Sequence, residues 1–144
     1  MNGLVMWLDG QKGNALSVCR MAMGLILVIS GYNKLFNTGI PQVIEGFTNM
    51  GLFAAPVLGL LVPILEFFGG AAILLGLFSR LLSIWVVVQF FIITVYVKPI
   101  LIGDGWNGTR IDVVLACLGF LVAAHGPGPL SLAGRLFRGM RWAE

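Results

Sequence analysis

Residues 54–78 form an apolar segment with one carboxylate, Glu66, near its middle, inside the run Pro63-Ile64-Leu65-Glu66-Phe67-Phe68-Gly69-Gly70. Even lenient insertion scales put a charge at a membrane-helix centre at about 2.5 to 3.5 kcal/mol, so Glu66 must look inward, protonated or paired. Other apolar segments therefore have to surround it. The composition supplies them: 58% of the 144 residues are hydrophobic and 10% charged, against about 25% charged in a soluble domain. Such a chain is a polytopic membrane protein of one domain, with no room for a large polar active-site domain. Nucleic-acid binding is not expected, because only Arg135, Arg138 and Arg141 cluster, directly after the last apolar segment, where they read as a membrane anchor.

Four segments, 15–36, 54–78, 81–102 and 110–125, are apolar enough to span a bilayer at about 1.5 Å of rise per residue. In each, the polar and small residues recur at spacings of 3 and 4 and fall on one stripe. The stripes hold Arg20, Gly24, Gly31 and Lys34; then Gly59, Pro63, Glu66 and Gly70; then Trp85, Gln89, Tyr96 and Pro99; then Asp112, Ala116 and Gly119. This predicts an all-α integral membrane protein, a left-handed bundle of four transmembrane helices whose glycines allow close approach. Between helices 1 and 2, Pro41 followed by Val43, Ile44, Phe47 and Met50 predicts a short amphipathic segment at the membrane interface. The chain then divides into an N-terminal segment 1–14, the four-helix transmembrane domain 15–126 and a basic tail 127–144 opened by Gly126-Pro127-Gly128-Pro129.

Residues 1–14 lack the basic start, apolar run and cleavage site of a signal peptide. Lys12, Arg20, Arg80, Arg135, Arg138 and Arg141 fall on one side of the bundle against Lys34, Lys98 and Arg110 on the other, which places both termini in the cytoplasm. Trp106 is an interfacial aromatic in this reading, and Asn107-Gly108-Thr109 a weak match to a glycosylation acceptor. Cys19 and Cys117 lie in separate apolar segments without CxxC spacing and are expected to be buried thiols.

The order and spacing of several motifs resemble the DoxX family of small four-helix membrane proteins. They are R-x3-G-x6-G-x2-K-L from Arg20 to Leu35, Gly39-Ile40-Pro41 with Met50-Gly51-Leu52, and Glu66-Phe67-Phe68-Gly69-Gly70 with the run from Leu74 to Arg80. Gly126-Pro127-Gly128 with Leu130-Ser131-Leu132 completes the set, and where the family often has an acid next, this chain has Ala133. The resemblance implies a multi-pass protein of the bacterial inner (plasma) membrane. It also implies a place in a redox system, since family members resemble subunits of quinone-linked oxidoreductases, with a soluble oxidoreductase as partner.

One histidine, His125, does not make a metal site, so no metal and no intrinsic cofactor is expected; a bound quinone is the candidate ligand. The candidate polar network is Arg20, Lys34, Glu66, Gln89 and Asp112, with Lys34 and Asp112 as a pair near the outer helix ends. Arg20 is expected to reach Glu66 through water or Gln89, and Trp85, Gln89, Tyr96 and Glu66 to line a ligand pocket. Three functions compete: a quinone-facing subunit of a redox complex, a non-catalytic scaffold, and a small carrier for a lipid or organic solute. Any of them is compatible with a homo-oligomer.

Overall fold

The computed structural model describes residues 2–103 and 106–132. Among the described residues, four helices are long and apolar enough to cross a membrane: Lys12–Thr38, Ala55–Leu75, Ser79–Ile100 and Gly108–His125. They run alternately up and down, so the start of the first span and the end of the fourth share one end of the bundle, here the terminal end, and segment 39–54 and Gly103 lie at the other, the distal end. The basic tail from Ala133 onward, like the side chains of Trp106 and Asn107, lies outside the described residues.

Helix α1 (Asn2–Gly10) precedes the first span, an ordered element in a segment to which the sequence had assigned no structure. The first span is α2 (Lys12–Tyr32) continued by wide π turns over Asn33–Thr38. Helix α3 (Ile40–Asn49) is the expected amphipathic segment, with proline in its first turn, where the missing N–H is harmless. It packs on the second span so closely that a Cβ on Gly59 would meet Ile44 Cα at 3.0 Å.

The second span is broken in a way that the sequence explains. Helix α4 (Ala55–Ile64) contains Pro63, which has no N–H for the carbonyl of Gly59. Wide turns over Leu65–Gly69 follow, and α5 (Gly70–Leu75) completes the span. At its end Gly76 takes φ +81°, its N–H bonds to Ile73 O at 3.0 Å, and that of Leu77 bonds to Ala72 O at 2.8 Å, the paired bonds of a Schellman stop. The hairpin thus turns at 76–78, and Ser79 is already in α6 (Ser79–Ile92). Wide turns over Ile93–Ile102, containing Pro99, finish the third span, and α7 (Trp106–His125) forms the fourth.

Every span contributes to the core: Met23 and Leu27, Ile73, Val86 and Phe90, and Leu115 and Val122. Register between the first two spans is set by glycines. A Cβ on Gly24 would lie 2.7 Å from Leu74 N, and one on Gly31 would collide with the Phe67 backbone, so the two backbones touch there. Cys117, expected to be buried, is exposed, and Cys19 is partly exposed. In a bilayer the outer face is as apolar as the core, so an apolar segment does not tell which face a small thiol takes.

Arg20 does not reach Glu66. Wholly buried, it spends its guanidinium on backbone carbonyls at the terminal end. Nη1 donates to Ile73 O at 2.5 Å and Leu74 O at 2.7 Å, Nε to Pro127 O at 2.8 Å and Nη2 to Leu130 O at 2.8 Å. The first two acceptors belong to the last turn of the second span, where carbonyls run short of helical donors: Ile73 O has only the Gly76 N–H of the stop. The other two tie the Gly-Pro-Gly-Pro segment to the bundle, helped by Leu130 N donating to Ser17 Oγ at 3.3 Å. Lysine has three donors on one point and cannot span these acceptors. Arg20→Lys should therefore lower stability by at least about 2 kcal/mol and speed hydrogen exchange in residues 127–132, whereas Gly46→Ala, with nothing within 4 Å of the added Cβ, should do neither. Unchanged exchange at 127–132 in Arg20→Lys would refute the clamp.

Candidate functional site

The register set by Gly24 and Gly31 brings the distal end of the first span against the middle of the second. Lys34, in the wide turns of Asn33–Thr38, faces Glu66, in those of Leu65–Gly69. Its ammonium donates to Glu66 Oε1 at 2.7 Å and Oε2 at 2.5 Å. Ser30 Oγ donates to Oε2 at 3.0 Å and Gln89 Nε2 to Oε1 at 2.9 Å. Glu66, 1% exposed, thus meets three neighbours that complement a carboxylate. Three of the five residues read as one network, Lys34, Glu66 and Gln89, do come together.

The expected pair of Lys34 with Asp112 is not formed. Asp112 instead holds Lys98 at 2.6 Å, and Lys98 also donates to the carbonyl of Gly108. Uniform helical rise, which would set Lys34 and Asp112 side by side near the outer helix ends, does not hold here. The wide turns spend extra residues per turn, and the backbone contacts of Gly24 and Gly31 decide which levels meet. Lys98 was missed because a strict 3.6-residue stripe through Gln89 passes through Tyr96. In the wide turns of Ile93–Ile102 that stripe is displaced, so Val97 becomes buried and Tyr96 stands 49% exposed. Its one legible signal was Pro99, which marks a departure from regular helix.

A cavity of about 390 Å³ opens between α4 and α6, beneath α3. Its walls are apolar, with Leu58 and Val62 from the second span, Phe47 from α3 and Met50 directly after it, and Trp85, Val88, Ile92 and Val97 from the third. Lys34, Gln89 and Lys98 also line it. Of the residues expected to line a pocket, Trp85 and Gln89 do; Tyr96 does not, for the reason given, and neither does Glu66, which is covered by the side chains it binds. The volume falls in the range of small-molecule sites, about 300 to 1,000 Å³. Each ammonium has three N–H donors. Lys34 gives two to Glu66, and Lys98 gives one to Asp112 and one to Gly108, which leaves each with one further donor on a side chain that lines the cavity. His125 lies far from it in sequence and fold, at the terminal end, its Nδ1 3.2 Å from Leu121 O.

These features define a four-span membrane protein with a carboxylate held inside the bundle and an apolar cavity beside it. The DoxX family pattern matches residues 15–99, more than half of the chain, and the chain belongs to that family. The matched stretch includes Arg20, Lys34, Glu66, Gln89 and Lys98 and stops short of Asp112. No curated protein and no solved structure matches it.

Removing one member of a buried ion pair strands the other and costs about 3 to 5 kcal/mol, so Lys34→Met and Glu66→Gln should each be strongly destabilising. Combined, they should cost less than their sum by at least about 1 kcal/mol, while Lys34→Met with Asp112→Asn should add within about 0.5 kcal/mol. Unfolding measurements on the reconstituted protein check this. Additivity in the first pair, or coupling in the second, would contradict the pairing described.

Proposed function

We propose that this protein is the quinone-binding membrane subunit of a redox complex, with a soluble oxidoreductase as its partner. The observation that carries this reading is the cavity, whose apolar walls are interrupted by two ammonium groups that each keep an N–H to donate. An isoprenoid quinone has matching parts: a flat ring for Trp85 and the aliphatic wall, two carbonyl oxygens for Lys34 and Lys98, and an apolar tail for the lipid. The family resemblance supports the same assignment. A scaffold has no need of such a cavity.

Native mass spectrometry of the protein extracted from its own membrane tests the proposal. The expected result is a bound quinone, absent when Val62→Trp fills the cavity, with the melting temperature kept within a few degrees. A wild-type protein carrying no quinone and binding none when it is supplied would refute it.

The same reading has the protein in a bacterial inner membrane with both termini in the cytoplasm, from the sequence count of Lys12, Arg20, Arg80, Arg135, Arg138 and Arg141 against Lys34, Lys98 and Arg110. In a background without Cys19 and Cys117, a cysteine at Phe53 should react with an impermeant thiol reagent on intact cells and one at Gly3 should not. The opposite pattern would invert the topology.

A further inference from the structure

Resting on the quinone reading, we propose that the cavity selects the reduced form, the quinol, over the oxidised quinone, and that Gln89 makes the selection. The amide nitrogen of Gln89 donates to Glu66 Oε1 at 2.9 Å. That bond fixes which way the amide faces, because the opposite orientation would set its oxygen against a carboxylate. The amide oxygen is consequently buried with no hydrogen-bond partner among the described residues, on a side chain that lines the cavity. A buried acceptor without a donor costs free energy that a suitable ligand recovers.

No described neighbour supplies that donor. Ser30 is committed to Glu66 Oε2, Lys34 gives two of its N–H groups to the same carboxylate, and its third makes no bond to the Gln89 oxygen. Lys34 and Gln89 both bind Glu66 Oε1, at 2.7 and 2.9 Å, so the carboxylate holds a cationic donor and a free acceptor side by side. Complementary to that pair is a group that accepts from one and donates to the other. A quinol hydroxyl does both; a quinone carbonyl only accepts. Bound quinone therefore satisfies Lys34 and leaves the Gln89 oxygen orphaned, while bound quinol satisfies both. Sites built to hydrogen-bond a substrate hydroxyl discriminate strongly against the analogue that lacks it, for the same reason.

The test uses the full-length protein in lipid nanodiscs with decylubiquinone and decylubiquinol under anaerobic conditions. The quinol should bind at least about tenfold more tightly, and Gln89→Met, which keeps the length and removes the acceptor, should reduce the preference below about threefold. Should Gln89→Met fail to fold, the wild type alone still decides the matter. A tenfold preference for the reduced form raises the two-electron midpoint of the bound couple by about 30 mV relative to the couple in empty nanodiscs. Equal affinity for the two forms, tighter binding of the quinone, or a preference that survives in folded Gln89→Met would overturn the inference while leaving the quinone site standing. Binding of neither form by the wild type would instead overturn the quinone reading itself.

Discussion

A bilayer offers no water to a buried polar group, so each charge inside the bundle must be satisfied by the chain itself. The bundle is built around that requirement at three places. Glu66 is met by Lys34, Ser30 and Gln89, Asp112 by Lys98, and Arg20 by four backbone carbonyls. Each joins segments distant in sequence. Glu66 links the first three spans and Asp112 the last two, while Arg20 links the first two to the segment after the fourth. Lipid gives helices little hydrophobic reason to associate in one particular arrangement, and these bonds, with the glycine contacts at Gly24 and Gly31, supply the specificity.

The two ends of the bundle are built differently. At the terminal end the spans are regular, Arg20 is fully enclosed and the Gly-Pro-Gly-Pro segment closes over it. At the distal end the first and third spans finish in wide turns, and the second widens at its centre. Lys34, Glu66 and Lys98 all sit in such turns. Pro63 and Pro99 account for two of the three departures from regular helix; nothing in the sequence 33–38 explains the third. Widening moves side chains off a regular stripe, as Val97 and Tyr96 show, and the cavity lies between α4 and α6 beside these turns. Wide turns of this kind recur at functional sites in helical proteins, because they present groups that a regular helix would hide.

The existence of four spans, their order, the amphipathic α3 and the inward direction of Arg20, Glu66, Gln89 and Asp112 were legible in the sequence. Hydrophobic length and the 3.6-residue period are local properties, and the cost of burying charge in lipid leaves few alternatives. Pairing was not legible in the same way. Lys98 lies off the regular stripe, so the sequence offered Lys34 as the partner of Asp112 and Arg20 as that of Glu66, and both assignments were wrong. An arginine in an apolar helix looks for a carboxylate when only side chains are counted. The carbonyls left over at the end of another helix, and in a Gly-Pro segment over one hundred residues away, become visible as acceptors only when the chain is folded.

The sequence by itself determined that this protein is a membrane bundle and that Arg20, Glu66 and Asp112 face into it, because those facts follow from transfer free energies that act residue by residue. The tertiary structure alone decided which charges meet, which side of each thiol-bearing helix faces outward, and that Lys34, Gln89 and Lys98 border one cavity. These outcomes depend on the register between helices, and register is set by backbone contacts at Gly24 and Gly31 and by turns that abandon the 3.6-residue period. A rotation of one residue's worth is enough to exchange Tyr96 for Val97 at the inner face, and no property of either residue taken alone records that choice.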